Sequence, residues 1–364
     1  MRYNIEDLTM EEKIGQKVIV GLDGKEALTH LKDIIQKYKV GGVLIYRKNY
    51  KDYNEMVELI NKIKELNQVN KIPMFISIDQ EGGRVNRMPK EFANLPSANK
   101  LFKSSQNEDY VKIAGEITGK MLNKTGINMD FAPVLDVKRF GDNHAIGDRA
   151  FSENIDDISK YGIEYMKELQ KNNVISIVKH FPGHGITSVD THFGIPKIKK
   201  DIETIENEDM IPFKKAIENK VDGIVVGHLK IKGVTEGVTA SISKRFITKY
   251  IRKKYRYNGL IVTDDMRMKG TKIRYGKNIA IMRAFWACND IIVFKYDGDI
   301  KILEKIKNYY KENKKEEKKV NRSVIRILKV KEKYNVNNEA IAEDENFVEE
   351  INKEINEIRN RVMS

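Results

Sequence analysis

Imidazole and carboxylate side chains are concentrated directly after short apolar runs of this sequence. Five of the six histidines lie at the ends of these runs or in the loops that follow them, and only His30 does not. Asp264 ends one apolar run, while Asp190 and His192 stand two residues apart in the loop that opens with Pro-Gly-His-Gly at 182–185. Cleavage of a glycosidic bond with retention needs a carboxylate nucleophile and a proton donor beside the leaving oxygen. These residue types therefore favour chemistry on sugars.

Asp190 and His192 are spaced to work as one acid/base unit. A carboxylate that hydrogen-bonds one ring nitrogen of a histidine fixes its tautomer and raises its basicity. Such a pair could donate a proton in a first step and accept one in a second step, while Asp264 attacks the anomeric carbon. The side chains that would hold the sugar hydroxyls are those of Asp79, Arg87, Arg149, Lys179 and His180.

Eight short apolar runs predict the elements that position these residues. They are apolar on successive residues, as is typical of parallel strands covered on both faces. Strand alternating with helix eight times favours a closed (β/α)8 TIM-type barrel with a helical C-terminal extension over a doubly wound open sheet. Functional side chains of such barrels lie at the C-terminal ends of the strands. The predicted strands are Lys17–Leu22, Gly42–Tyr46, Met74–Asp79, Asn128–Val134, Ser176–Phe181, Gly223–His228, Gly259–Asp264 and Asp290–Tyr296.

Helical periodicity appears between most of these strands. Lys179 lies inside a predicted strand, and because burying a lone charge is costly, we expect it to meet a carboxylate or a polar ligand. The predicted helices include Tyr53–Leu66, Asp109–Lys124, Ile155–Lys171, Glu208–Asn219, Lys244–Lys254 and Ile279–Cys288.

The last part of the chain differs in charge from the rest. Residues 301–334 contain 13 Lys or Arg against 5 Asp or Glu, whereas residues 335–364 contain 3 against 8. Both segments show thin apolar stripes at helical spacing, as expected for helices that pack on a barrel. We therefore predict a catalytic barrel over residues 1–334 and a charged helical tail over residues 335–364.

Composition narrows the class of protein. An apolar content of 40% excludes a mainly disordered chain, and a single cysteine, Cys288, excludes both a disulfide framework and a cysteine-based zinc site. No apolar run is long enough to span a membrane, and the first residues lack the apolar core of a signal peptide. The net charge of +13 fits a lysine-rich composition as well as a polyanion partner. We expect a cytoplasmic protein with no membrane and no nucleic-acid partner.

Several motifs together resemble one known family. They are Leu8–Gln16, Ile78–Val85, Asn128–Asp136, Ile146–Ser152, Lys179–Gly185 and Val262–Met268. In these segments the chain resembles glycoside hydrolase family 3, and more closely the β-N-acetylhexosaminidase branch that trims peptidoglycan fragments. The resemblance covers about residues 5–330.

The resemblance implies a retaining, two-step hydrolysis without a cofactor or a metal ion. Asp264 matches the family's nucleophile, and His192 with Asp190 matches the acid/base pair of the branch. Asp79, Arg87, Arg149, Lys179 and His180 match its sugar-binding positions. The expected substrate is a terminal GlcNAc of a small peptidoglycan-derived or chitin-type fragment. The departures from the pattern include Ile186, where relatives often carry aspartate, the segment Thr239–Ser241, the acidic tail, and the basic stretch Lys269–Gly276, which lies beside Asp264 in the chain.

Other functions remain open from the sequence. A related β-glucosidase or β-xylosidase, or a GlcNAc phosphorylase, would use the same nucleophile. A metal hydrolase could use His180, His184, His192 and His228 on the barrel rim. A protein that only binds glycans or polyanions through its basic surface is the alternative outside enzymes.

Overall fold

A single parallel sheet forms the centre of the molecule. A computed structural model describes residues 3–105, 109–139, 145–185, 196–198 and 200–363. All eight predicted strand sites contain a strand of this sheet. The strands are β1 (Val18–Gly21), β2 (Gly42–Leu44), β3 (Phe75–Ile78), β4 (Met129–Asp130), β5 (Ile175–Phe181), β6 (Gly223–Val226), β7 (Leu260–Thr263) and β8 (Ile292–Lys295).

The sheet closes on itself as a barrel. Neighbours pair in parallel in the order β8-β1-β2-β3-β4-β5-β6-β7, and a parallel bridge between Val262 and Ile291 joins its two edges. This confirms the predicted (β/α)8 TIM-type barrel. A separate two-stranded parallel pair, Lys197–Ile198 with Lys230–Ile231, lies outside the barrel sheet.

Helices connect and surround the strands, as the periodicity predicts. Two predicted helices agree with the structure residue for residue, and the segment predicted over Lys244–Lys254 is a π-helix over Phe246–Lys254. The second described π-helix is Asp33–Lys37. The α-helices are Met10–Gln16, Lys25–Thr29, Tyr53–Leu66, Ala98–Ser104, Tyr110–Lys124, Ile155–Lys171, Ile202–Asn207, Ile211–Glu218, Lys269–Tyr275, Lys277–Trp286, Ile302–Glu312, Lys314–Lys333 and Phe347–Met363.

The helix Ile155–Lys171 shows why such segments fold as they do. The Asn154 side chain accepts hydrogen bonds from the first free backbone N–H groups, those of Asp156 and Asp157. Acidic residues in the first turn and Lys171 in the last turn complement the helix dipole. Its buried face includes Ile158, Met166 and Leu169, whose helical spacing places them on the barrel side.

A cluster of buried apolar side chains fills the barrel interior. Strand residues such as Ile19, Phe75 and Val262 form most of it. Its remaining members include Ile327, Tyr334 and Val336, which come from the C-terminal part of the chain. This part therefore belongs to the apolar core at the N-terminal ends of the strands.

The chain beyond residue 334 also packs on the barrel. In the helix Phe347–Met363, Ile351, Ile355 and Ile358 are buried, and the helix contacts the helix Tyr110–Lys124. The division at residue 334 stays a prediction. Within the described residues, none of the helices has the length and apolarity that crossing a membrane requires.

Candidate active site

A cavity of about 450 Å³ opens at the C-terminal ends of the strands. Its walls come from the residues that follow most of the barrel strands, where barrel enzymes carry their chemistry. Six predicted site residues line it, namely Asp79, Arg87, Arg149, Lys179, His180 and Asp264. The other two, Asp190 and His192, lie outside the described residues, as does Ile186.

Lys179 of β5 is buried and forms two ion pairs. Its Nζ lies 2.7 Å from Asp79 Oδ1 and 2.5 Å from Glu81 Oε1. Burial alone would lower the pKa of Lys179, but the charges of Asp79 and Glu81 outweigh it and raise the pKa. The expectation that this lysine meets a carboxylate is therefore confirmed, and the ammonium stays charged beside the cavity.

Glu81 joins Lys179 to Arg149. The Arg149 guanidinium donates from Nε to Glu81 Oε2 at 2.7 Å and from Nη2 to Oε1 at 2.8 Å, which is the bidentate geometry of strong pairs. Burial raises the pKa of the Glu81 carboxyl, but Arg149 and Lys179 hold it far below its usual range. Sequence reasoning missed Glu81 as a site residue. The available signal was that two buried cations need more than the single carboxylate of Asp79.

Arg87 also lines the cavity, and its side chain has fewer hydrogen-bond partners than that of Arg149. Its backbone N–H donates to Gln80 Oε1 at 2.8 Å, and its carbonyl oxygen accepts from the Tyr50 hydroxyl at 2.7 Å. These bonds hold the backbone in place. The buried Nε has no hydrogen-bond partner within the described part of the chain, so the guanidinium retains donors for a ligand.

A buried carboxylate, Asp136, holds the segment that leaves β5. Its Oδ2 lies 2.7 Å from His180 Nδ1, and its Oδ1 accepts from the His184 backbone N–H at 2.6 Å. Burial raises the pKa of Asp136, but the two histidines and their hydrogen bonds keep it below its usual value. Burial and the neighbouring His180 lower the pKa of His184. Both imidazoles line the cavity.

Asp264 stands directly after β7 with its carboxylate facing the cavity. Its backbone N–H donates to the Val226 carbonyl oxygen at 3.2 Å, and its Oδ1 accepts from the Asp265 N–H at 2.8 Å. Burial raises its pKa, but the charges of His228, His180 and Lys179 and the Asp265 N–H bring it below its usual value. The group is therefore an ionised carboxylate at neutral pH.

The pKa of the neighbouring carboxyl, Asp265, shifts in the opposite direction. Its Oδ1 accepts from the backbone N–H groups of Arg267 at 2.9 Å and Lys295 at 3.2 Å, which ties the turn after β7 to β8. Burial raises its pKa above the usual value. Both aspartates line the cavity, but the Oδ1 of Asp265 is occupied by the turn, whereas the nearby positive groups keep Asp264 ionised.

Several cavity residues were not predicted from the sequence. Tyr46 follows β2 and Lys295 ends β8, with the Lys295 Nζ 5.4 Å from the centre of the Tyr46 ring. The basic segment after Met268 forms the helix Lys269–Tyr275, whose first residue, Lys269, lines the cavity together with Met268. Across the described ranges, no group of three or more His, Cys, Asp or Glu side chains is arranged to hold a metal ion. His192, one of the four histidines considered for a metal, lies outside those ranges.

Proteins of known family share this sequence pattern and fold. Residues 9–330 match the family described as Glycosyl hydrolase family 3 N terminal domain. The chain is 30% identical to β-hexosaminidase A of Pseudoalteromonas piscicida over 90% of its own length and 61% of that protein, so it spans less than two thirds of this relative. It is also 30% identical to a β-hexosaminidase of Tolumonas auensis, over 80% of this chain and 86% of the relative.

A solved structure agrees over nearly the whole chain. The family 3 β-N-acetylglucosaminidase from Paenibacillus sp. superposes with a TM-score of 0.90 at 28% identity. The superposition covers 98% of this chain and 69% of the other. The similarity therefore includes the C-terminal segment as well as the barrel.

Proposed function

The chain belongs to glycosyl hydrolase family 3, in its β-hexosaminidase branch, and on that premise we propose that it is a retaining exo-β-N-acetylglucosaminidase. It removes a terminal GlcNAc from peptidoglycan-derived or chitin-type fragments. The observation that carries this proposal is the ionised Asp264 carboxylate at the end of β7, facing a cavity lined by the other predicted sugar-binding side chains. A location in the cytoplasm and a role in peptidoglycan recycling stay predictions.

In the first step, Asp264 attacks the anomeric carbon while the leaving oxygen receives a proton. A nucleophile must be ionised, and the nearby positive groups that lower the pKa of Asp264 keep it so. Its position directly after a barrel strand fixes the direction of attack, because strand ends are more rigid than loops. The products of this step are a glycosyl ester on Asp264 and the free aglycone alcohol.

In the second step, water attacks the ester and releases the sugar with its β configuration. We assign the proton transfers of both steps to His192, oriented by Asp190. The imidazole first donates its proton to the leaving oxygen and then accepts one from the attacking water.

The remaining side chains hold the sugar. Arg87 offers unused N–H donors, and Asp79 offers the acceptor capacity that its bond to Lys179 leaves free. Lys179 and Arg149 share Glu81, so their positive charges lie at fixed positions along the cavity wall. Charged groups that are held in place in this way strengthen hydrogen bonds to hydroxyls without reorganising during the reaction.

The assignment of Asp264 is tested with an aryl β-N-acetylglucosaminide. We expect wild-type protein to release the phenol and Asp264→Ala to lose at least about a thousandfold in kcat, because the proposed covalent step depends on this carboxylate. The matched control is Asp222→Asn, a buried carboxylate at the opposite end of the barrel, which should keep wild-type kinetics. Wild-type turnover by the Asp264→Ala variant would refute the mechanism.

The preferred sugar and the group that accepts it, water or phosphate, are tested on the wild-type protein. Turnover of the aryl N-acetylglucosaminide should exceed that of the aryl glucoside and xyloside, and the sugar first released should be the β anomer by NMR. Adding phosphate should leave the rate and the product unchanged. Equal turnover of the glucoside would overturn the substrate assignment, and a sugar phosphate product would replace hydrolysis by phosphorolysis.

A further inference from the structure

The carboxylate of Asp136 contacts one short segment of the chain from two sides. Its Oδ2 lies 2.7 Å from His180 Nδ1 and accepts from the His180 backbone N–H at 3.2 Å, and its Oδ1 accepts from the His184 N–H at 2.6 Å. The side chain is fully buried, and it does not line the cavity itself. Asp136 can therefore influence a ligand only through the residues that it holds.

These contacts determine where the proton of a neutral His180 ring resides. An ionised carboxylate can only accept hydrogen bonds, and the backbone N–H groups of His180 and His184 that donate to Asp136 favour its ionised form. Nδ1 of His180 must then be the protonated nitrogen. The ring lines the cavity, and its Nε2 has no hydrogen bond within the described ranges. Nε2 is thus the nitrogen that remains for a ligand.

The backbone around Asp136 is also packed tightly against the same segment. A Cβ atom placed on Gly185 would lie 1.7 Å from the carbonyl oxygen of Val137, so the two stretches touch at backbone distance. Gly185 is the last described residue before the segment that contains Asp190 and His192. Both the hydrogen bonds and the close packing therefore fix residues 180–185 relative to Asp136 and Val137.

We infer that Asp136 is a positioning residue of this site, which holds His180 as the Nδ1–H tautomer so that Nε2 accepts a hydrogen bond from a hydroxyl of the bound sugar. The identity of that sugar rests on the proposed function, but the tautomer does not. A ring free to adopt the other tautomer would present an N–H donor at Nε2. A sugar hydroxyl would then have to rotate and give up its own donor bond.

The tautomer is measured directly on the wild-type protein. In protein labelled with ¹⁵N-histidine, long-range ¹H–¹⁵N spectra distinguish protonated from unprotonated ring nitrogens, and His180→Gln identifies the signals of His180. We expect a protonated Nδ1 and an unprotonated Nε2 at a pH where the ring is neutral. A protonated Nε2 in the wild type would overturn the inference without any variant.

The variant Asp136→Asn tests the consequence for the reaction. A single amide oxygen must then serve donors that two carboxylate oxygens served before, and the amide N–H₂ can donate to His180 Nδ1, which moves the ring proton to Nε2. We expect this shift in the spectra, together with a fall in kcat/KM for the aryl N-acetylglucosaminide of about 2- to 10-fold, the worth of one hydrogen bond between neutral groups. The fall should come mainly from a higher KM.

Two comparisons separate positioning from a merely structural effect. A structural defect lowers the active fraction and hence the apparent kcat, but it leaves KM unchanged. If Asp136 acts through His180, adding Asp136→Asn to His180→Ala should cause little further loss, whereas independent effects would multiply. The control Asp222→Asn should keep the wild-type tautomer and KM, because Asp222 accepts hydrogen bonds from Tyr334 and Ser176, away from the cavity.

The outcomes distinguish the two proposals. A wild-type protein that leaves aryl N-acetylglucosaminide intact but shows the Nδ1–H tautomer would refute the proposed function and retain the role of Asp136 in orienting the ring. An active protein in which Asp136→Asn keeps the wild-type tautomer and KM, or in which its effect multiplies with that of His180→Ala, would refute the positioning role alone.

Discussion

Two buried lysines at opposite ends of the barrel have opposite surroundings. Lys179, at the C-terminal ends of the strands, contacts the carboxylates of Asp79 and Glu81. Lys331, beneath the N-terminal ends, donates to three neutral oxygens, those of Gln16 Oε1 at 2.7 Å and of the Gly41 and Pro73 carbonyls at 2.9 and 2.6 Å. Both residues are at most 3% exposed. Burial is equal, so the partners decide what each lysine does.

The difference shows how one fold places a charge for ligand binding at one end of the barrel and structural contacts at the other. The carboxylates raise the pKa of Lys179, and that charge is held where a ligand can meet it. Burial without a carboxylate lowers the pKa of Lys331 well below its usual value. Its three oxygens belong to Gln16, Gly41 and Pro73, which precede β1, β2 and β3, so Lys331 ties the helix Lys314–Lys333 to the N-terminal ends of these strands.

Removing Lys179, at the C-terminal ends of the strands, should have the largest effect. In Lys179→Met the Glu81 carboxylate keeps only Arg149, and Asp79 loses its cation. Breaking a buried ion pair by removing one partner costs about 3–5 kcal/mol of unfolding free energy. We also expect kcat/KM to fall by roughly 100-fold or more, because a fixed charge is lost from the cavity wall. Urea denaturation and aryl-glycoside kinetics measure the two effects, and near-wild-type values of both would contradict the role of this ion-pair network.

Removing Lys331, beneath the N-terminal ends of the strands, should affect stability alone. Lys331→Met leaves the oxygens of Gln16 and Pro73 without this donor, while the Gly41 oxygen keeps its bond from the Phe75 N–H. Unsatisfied buried acceptors cost about 1–3 kcal/mol each, and the cost is reduced here because a buried charge is also removed. We therefore expect a loss of about 1–3 kcal/mol with kcat/KM unchanged.

The matched control for Lys331→Met lies on the same helix. Lys329 is exposed, so Lys329→Met should change the unfolding free energy by less than about 0.5 kcal/mol. If Lys331→Met instead reduced kcat/KM while its stability stayed that of the wild type, the separation between the two ends of the barrel would be wrong.

The two ends also differed in how far the sequence could predict them. Apolar runs located all eight strands, and residues directly after those strands predicted the cavity, because strand direction in a parallel barrel brings their ends to one rim. Glu81 was missed because its role depends on Arg149, 68 positions away. Lys331 was missed because it stands in a segment rich in lysines, and only contacts with residues near β1, β2 and β3 distinguish it from solvated ones. The placement of Asp190 and His192 remains a prediction.

The alkaline pH dependence of stability offers the finest test of the comparison. Lys331 has a folded pKa below its unfolded value of 10.5, so the unfolded chain binds more protons between these two values, and stability rises with pH there. Lys179 has a folded pKa above 10.5, so its contribution is fully present below 10.5 and is lost only as pH rises through the raised value. Below pH 10.5 the two lysines thus predict different slopes, a rising one for Lys331 and a level one for Lys179.

The slopes are isolated by subtracting the unfolding free energy of each variant from that of the wild type between pH 8 and pH 10.5. Lys17, whose pKa burial lowers to about 8, contributes a rising slope to every variant and cancels in the difference. The difference in unfolding free energy between the wild type and Lys331→Met should rise with pH, by at most about 1.4 kcal/mol per pH unit, the value for one proton. The wild type minus Lys179→Met should stay level over the same range. Equal slopes in the two differences would show that burial, rather than the carboxylates around Lys179, sets its charge, and the contrast between the two ends would fail.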